Sequence, residues 1–200
     1  MQEIAEIAHK NDAITILDDA HGDFAVGHDG RGTPAKLCSK VDVYISSLSK
    51  GLGSFGGYVA SEKNVINYSI NKSKAFIYTS ALPSTLVEHA IRRFGYNRER
   101  YQKKLAQNTK IFTSGLYDMG ITTHSKTHII PIVIGSEKNT ISLGAFLYRN
   151  GIFAQPIRYP TVPKGMARIR ISVTAWLSRN DINSALSVFE RAVKKFNFTC

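Results

Sequence analysis

The order of apolar and polar positions in the first half of the chain predicts alternating helices and strands. Residues 2–10 have apolar positions at helical spacing. Short apolar runs bounded by polar residues or glycine predict strands over residues 14–17, 41–45 and 57–60. A helix is predicted over residues 62–72 and an extended piece over residues 76–78. This alternation predicts an α/β fold with parallel strands.

A long helical region is predicted from Pro83 towards Leu116, with a bend near Gly95 and an end near Gly115. It is expected to bridge two domains. The expected bounds are residues 1–100 for the first domain, 101–120 for the bridging helix and 121–200 for the second domain.

The second domain is expected to combine strands and helices. Strands are predicted over residues 128–134, where Pro131 indicates an edge or a bulge, and over residues 168–173, where alternation predicts one apolar and one polar face. A helix over residues 140–150 is followed by Gly151, at the position that favours left-handed backbone. In the last helix, Asp181 is the predicted cap, and the predicted inward-facing residues are Ile182, Leu186 and Phe189.

Composition excludes several classes of protein. The net charge is +11, but much of the excess lies between Arg92 and Lys110, where it predicts a solvated helix face. Without a basic motif carrying base-stacking aromatics, no nucleic-acid role is expected. No apolar run approaches the roughly 18 residues that cross a bilayer, and the amino terminus lacks the residue pattern of a signal peptide. A cytoplasmic protein is therefore expected.

The cysteines and histidines do not predict a metal centre. Cys38 and Cys200 have no metal-ligand spacing, and two cysteines do not imply a disulfide framework. His124 and His128 are four residues apart, but their segment is not convincingly helical. We therefore predict no metal site.

Lys50 stands in a serine- and glycine-rich stretch directly after the strand predicted over residues 41–45. Small residues let a planar cofactor approach the backbone, hydroxyl and N–H groups hold a phosphate, and an amine forms a Schiff base with an aldehyde. Asp18 follows the preceding strand, where a carboxylate can pair with a pyridine nitrogen, and His21 can reach the ring hydroxyl. Together these residues predict a site for pyridoxal 5′-phosphate (PLP).

Each of these residues has an ordinary structural interpretation when taken alone. An Asp after a strand is usually a cap or a turn residue, a loop histidine is usually solvated, and a lysine is usually a surface charge. The PLP interpretation depends on their order along the chain: strand, Asp18, His21, strand, Lys50.

Five segments in sequence order resemble the motifs of the α-oxoamine synthases. They are residues 18–22 (DDAHG, followed by Gly27 and residues 30–32, GRG), 47–53 (SLSKGLG), 76–83 (FIYTSALP), 156–163 (PIRYPTVP) and 167–172 (ARIRIS). The resemblance implies a PLP-dependent transferase of fold type I, with part of the large domain followed by a C-terminal α+β small domain.

The resemblance also implies roles for individual residues. Lys50 matches the Schiff-base lysine that moves the Cα proton, Asp18 the acid at the pyridine nitrogen, and His21 the partner of the ring hydroxyl. Further matches are Ser47 and Thr79 near the phosphate, Thr79 reaching it from a neighbouring subunit, Arg158 at the amino-acid carboxylate and Thr161 on the substrate side.

The implied reaction is the decarboxylative condensation of an amino acid with an acyl-CoA thioester, with L-alanine and pimeloyl-CoA expected. A glycine-using relative and a non-catalytic remnant stay open as alternatives. Family members are about twice this length, so we expect a homodimer or a chain complemented by a missing amino-terminal half.

Overall fold

The computed structural model describes residues 1–27, 30–37 and 40–198. It divides into two compact units, Met1–Gln102 and Lys103–Cys200. Both cysteines of the sequence lie outside the described residues, so the expectations about them have no structural counterpart. Within the described ranges, no helix is both long enough and apolar enough to cross a membrane.

The first unit is built around a three-stranded sheet. Its elements are α1 (Gln2–Lys10), β1 (Ile16–Asp18), α2 (Gly32–Leu37), β2 (Val43–Ser47), β3 (Gly57–Ser61), α3 (Lys63–Lys72), α4 (Lys74–Ile77), α5 (Ser84–Phe94) and the start of α6 (Arg98–Asp118). The strand order is β1-β2-β3, with β1 parallel and β3 antiparallel to β2. The parallel crossover expected from the sequence is therefore confirmed.

The second unit is an α+β layer structure. After the end of α6 it contains β4 (Ile129–Gly135), α7 (Glu137–Arg149), β5 (Gln155–Ile157), β6 (Ala167–Ser172) and α8 (Arg179–Phe196). The strands form an antiparallel sheet in the order β4-β6-β5, against which α7 packs. Pro131 lies on the edge strand β4, whose register shifts between Val133 and Gly135, so the predicted edge or bulge is confirmed.

The two units differ in how much apolar surface they bury. The second unit has a continuous core that includes Phe112, Ile169, Ile182 and Phe189, and the rings of Phe112 and Phe189 meet edge to face at 5.7 Å. In the described part of the first unit, the buried hydrophobic residues are Ala20, Leu52 and Ala90. Most large apolar side chains of the first unit are exposed, because a three-stranded sheet with short helices covers little of its own surface.

Three predictions about local structure are wrong. Residues 76–78 were expected to be extended, but α4 (Lys74–Ile77) covers most of them. The long helix does break around Gly95, yet α6 continues past Gly115 to Asp118. The cap of the last helix, α8 (Arg179–Phe196), is Ser178, and Asp181 is the third residue of that helix, in a capping box where each side chain bonds the other's backbone N–H.

Candidate functional site

The carboxyl ends of the parallel strands β1 and β2 lie at one edge of the first unit's sheet. Asp18, the last residue of β1, pairs in register with Ile45, and β2 ends two residues later at Ser47. Parallel strands present their carboxyl ends on the same side, which is where α/β sheets bind ligands. The structure thus brings Asp18 and the start of the lysine segment to the same edge.

Lys50 lies in the tight connection between β2 and β3. The connection is closed by hydrogen bonds from Leu48 N to Gly56 O (2.9 Å) and from Ser54 N to Leu48 O (2.8 Å). Position 51 has no room for a side chain, because a Cβ there would lie 2.7 Å from the carbonyl oxygen of Asp23. Glycine therefore lets the lysine connection lie against the segment that follows Asp18, while the Lys50 side chain stays exposed.

Two serine hydroxyls stand beside Lys50. Ser47 Oγ and Ser49 Oγ are 2.8 Å apart, and the backbone N–H of Ser49 donates to Ser47 Oγ at 3.2 Å. Hydroxyl and backbone N–H donors next to a lysine suit a phosphate group. Ser47 was predicted from the sequence, whereas Ser49 was missed, although it is in the same serine-rich run.

The last residue of β1 and the five residues after it form a turn, residues 18–23, with exposed and buried members. Asp18 and His21 are exposed, and Asp18 Oδ1 accepts a hydrogen bond from the N–H of Ala20 at 3.0 Å. Asp19 and Asp23 keep only 6% and 5% of their surface exposed. The turn therefore presents one carboxylate and one imidazole outward and encloses two other carboxylates.

The buried carboxylates are hydrogen-bonded to tyrosines of the sheet. The Tyr44 hydroxyl donates to Asp19 at 2.9 Å, and the Tyr58 hydroxyl donates to Asp23 at 2.6 Å. Burial, followed by these hydrogen bonds, raises the pKa of both hydroxyls far above the usual value near 10. Both tyrosines therefore remain protonated donors at physiological pH.

A second set of contacts holds the loop that continues from this turn. The Arg98 guanidinium lies 5.2 Å and 4.9 Å from the ring centroids of Phe24 and Phe94, and it donates to Gly30 O at 3.1 Å. Gln102 donates to Gly27 O. Phe24 has φ +62°, a conformation that costs a bulky residue about 1–3 kcal/mol. We call these contacts the Arg98 clamp, since they hold a strained segment next to the turn.

The other predicted site residues lie on other segments of the chain. Thr79 is exposed after α4, and its hydroxyl lies 3.4 Å from Ser80 O. In the second unit, Arg158 follows β5 directly, and its carbonyl accepts the N–H of Thr161 at 3.0 Å. Both of these side chains are exposed. Arg158 and Thr161 are thus two exposed residues of the same turn.

The groups at the edge of the first unit's sheet fit the chemistry of PLP. They include a carboxylate (Asp18), an imidazole (His21), an amine (Lys50) and the hydroxyl pair Ser47 and Ser49, which are the types of group that could hold a ring nitrogen, a ring hydroxyl, an aldehyde and a phosphate. Sequence reasoning did not find Asp19, Asp23 and their tyrosine partners, because those partners are 25 and 35 residues away in the chain.

Known proteins match nearly the whole chain. The model of the family "Aminotransferase class I and II" matches residues 1–189. An 8-amino-7-oxononanoate synthase of Thermoanaerobacter pseudethanolicus is 37% identical over an alignment of 202 positions, which covers 98% of this chain and 51% of that protein. The chain thus spans about half the length of the curated relatives it matches.

Solved structures show the same fold. A serine palmitoyltransferase of S. paucimobilis, solved with a bound PLP–myriocin aldimine, superposes with a TM-score of 0.90 at 22% identity, over 98% of this chain and 51% of that one. An 8-amino-7-oxononanoate synthase of Francisella tularensis gives 0.79 at 24% identity, over 98% and 59%.

The resemblance seen in the motifs and the expected fold type I architecture are confirmed by these matches. Since the family model covers almost all of the sequence, the chain belongs to the class I and II aminotransferase family.

Proposed function

We propose that this chain carries the reacting residues of a PLP-dependent acyltransferase. The reaction is the condensation of L-alanine with pimeloyl-CoA, giving 8-amino-7-oxononanoate, CoA and CO2 in biotin synthesis. The observation that supports this most is the parallel pairing of β1 and β2, with Asp18 and the Lys50 connection at their carboxyl ends. The 37% identity to an 8-amino-7-oxononanoate synthase supports the choice of substrates.

The proposed cofactor contacts use the groups at that edge. PLP, when bound, supplies an aldehyde and a protonated ring that takes up an electron pair from the amino acid's Cα. Lys50 Nζ would hold the aldehyde carbon, and the Asp18 carboxylate would accept the hydrogen bond of the ring N–H. His21 would meet the ring hydroxyl, and Ser47, with Thr79 of a neighbouring subunit, would meet the phosphate.

The substrate contacts follow from the remaining residues. Arg158 would bind the amino-acid carboxylate, because a planar guanidinium offers two parallel N–H donors to two oxygens. Lys50 Nζ, released as an amine, would take the proton from the amino acid's Cα. The Cα then attacks the thioester carbonyl, the CoA thiolate leaves, CO2 is lost, and a proton returns to Cα. Thr161 would lie on the substrate side.

A second candidate is a chain that folds and associates but does not catalyse. The exposure of most large apolar side chains in the first unit supports it, because such surface favours contact with further polypeptide. In the enzyme proposal the same surface would meet a second copy or a polypeptide supplying the rest of the family's length. A glycine-using condensation differs only in the amino acid.

The test is covalent labelling of the chain with PLP. Added PLP should produce a visible absorbance band, and borohydride reduction followed by peptide mapping should find the label on Lys50. Lys50→Ala should remove the label. Lys63→Ala is the matched control, because Lys63 is also an exposed lysine of the same unit and its loss should leave the label in place.

The labelling result separates the two candidates. Label confined to Lys50, followed by CoA release from pimeloyl-CoA with L-alanine rather than glycine, would support the acyltransferase. Label spread over several surface lysines, and unchanged in Lys50→Ala, would refute it in favour of the non-catalytic chain.

A further inference from the structure

The turn that carries Asp18 and His21 is fixed from its buried side. Asp19 accepts hydrogen bonds from the N–H and the hydroxyl of Thr33, both at 2.6 Å, and from the Tyr44 hydroxyl at 2.9 Å. A buried carboxylate is costly unless such donors surround it. Asp19 therefore ties the turn to the start of α2 and to β2.

Asp23 makes a second attachment on the other side of His21. Its Oδ2 accepts hydrogen bonds from Ser46 Oγ at 2.7 Å and from the Tyr58 hydroxyl at 2.6 Å. Ser46 lies on β2 and pairs in register with Tyr58 on β3. The two attachments are four residues apart in sequence and enclose the exposed His21 between them.

We propose that Asp19 and Asp23, through Tyr44 and Tyr58, are positioning residues for Asp18 and His21. This inference deepens the proposed function and rests on it. Asp18 and His21 are exposed, whereas the two buried carboxylates of the same turn are hydrogen-bonded to tyrosines of the neighbouring strands. Removing one tyrosine hydroxyl should therefore change the orientation of His21 without touching a group that contacts the cofactor.

In this proposal the buried carboxylates position the turn through the geometry of their hydrogen bonds rather than through their charge. Both hydroxyl donors to Asp23 meet the same oxygen, Oδ2, so an asparagine with its carbonyl oxygen at that position can keep both of these bonds. It would lose only the hydrogen bond that the Phe24 N–H donates to Oδ1 at 3.1 Å. Asp23→Asn should consequently preserve the turn, and Asp23→Ala should not. A merely electrostatic role would make the two variants equally poor.

The experiment compares Tyr44→Phe and Tyr58→Phe with Tyr117→Phe in the full chain. Tyr117 is the matched control, because its hydroxyl also makes one hydrogen bond, to Thr123 O at 3.2 Å, but in the second unit. The first readout is the ring ¹³C–¹H NMR signal of His21 without PLP, assigned by its loss in His21→Gln. The second is the PLP concentration that labels half of Lys50.

In Tyr44→Phe and Tyr58→Phe, the His21 signal should shift or broaden. The half-labelling concentration should rise about fivefold, the factor expected for one ordinary hydrogen bond. Tyr117→Phe should change neither readout. An unmoved His21 signal in both folded variants, or equal effects of Asp23→Asn and Asp23→Ala, would overturn the proposal.

Loss of the PLP site and loss of the positioning role give different experimental results. If the parent chain takes no label on Lys50, the proposed function fails for this chain, while the His21 signal still decides whether the tyrosines position the turn.

Discussion

Two glycines with similar backbone conformation should respond very differently to alanine. Gly32 has φ +86° and Gly53 has φ +71°, both in the left-handed region. An alanine there costs about 1–2 kcal/mol because its Cβ crowds the following carbonyl oxygen. If backbone conformation were the only factor, Gly32→Ala and Gly53→Ala would be equally harmful.

The surroundings of the two glycines separate them. A Cβ at Gly32 would lie 2.5 Å from both Asp19 Oδ2 and the Tyr44 hydroxyl, whereas a Cβ at Gly53 would meet nothing within 4 Å. The Asp19 carboxylate would have to move and lose at least one of its hydrogen bonds, worth about 1.5–3 kcal/mol for a charged acceptor. We therefore expect a total loss of about 3–5 kcal/mol for Gly32→Ala and about 1–2 kcal/mol for Gly53→Ala.

Hydrogen exchange measured by mass spectrometry can detect this difference in the first unit. The useful amides are Val43 N–H, which donates to Thr15 O at 3.0 Å, and Asp19 N–H, which donates to Ile45 O at 2.8 Å. An excess loss of about 2 kcal/mol corresponds to exchange roughly 30-fold faster in Gly32→Ala than in Gly53→Ala. Equal exchange in both variants would refute the idea that the carboxylate cluster restricts position 32.

Three further results are expected. Phe189→Ala should cost the second unit about 3–5 kcal/mol in urea unfolding, against less than about 0.5 kcal/mol for the exposed Phe153→Ala; equal midpoints would contradict the core assignment. Hydrogen bonds from Ser178 lower the pKa of Asp181, so they stabilise the fold above about pH 4 and this contribution is lost as the pH falls through the lowered value. The stability difference between the parent and Ser178→Ala should accordingly shrink in acid; a constant difference would exclude this linkage. Arg98→Lys should speed amide exchange over residues 24–27 and 30–32, because an ammonium lacks the planar stacking of guanidinium; unchanged exchange would mean that the Arg98 clamp does not hold these residues.

Patterns that repeat over several residues could be predicted from the sequence. The alternation around Ile169 and Ile171 gave a strand with buried and accessible faces, and the structure has β6 there. Apolar spacing in the last helix identified Ile182 and Phe189 as core residues, and both are almost fully buried. Such elements are predictable because several positions in each of them repeat the same periodic pattern of apolar residues.

Short elements and distant partners could not be predicted in this way. The aromatic and β-branched residues of positions 76–78 favour a strand, but a single helical turn from Lys74 satisfies the backbone there, and four residues are too few to show periodicity. Asp181 and Ser178 are both good caps, and only the reciprocal hydrogen bonds distinguish their roles.

The residues of the candidate site were likewise predictable only in part. The order of Asp18, His21 and Lys50 indicated the chemistry, and the parallel register accounts for why the two strand ends share an edge. The inward roles of Asp19 and Asp23 depend on tyrosines that reach them only after the strands have paired. No local pattern distinguishes an inward carboxylate from an outward one within a run of acidic residues.

The strand β1 has a consequence for the chain in a crowded cell. It is the outermost strand of its sheet in the described part of the structure, and Ile14 and Ile16 beside this edge are 74% and 66% exposed. An outer strand with apolar neighbours is a template for any extended segment that offers matching N–H and C=O groups. We therefore expect a newly made copy to pair at this edge with whichever matching extended segment, from another chain or another copy, reaches it first.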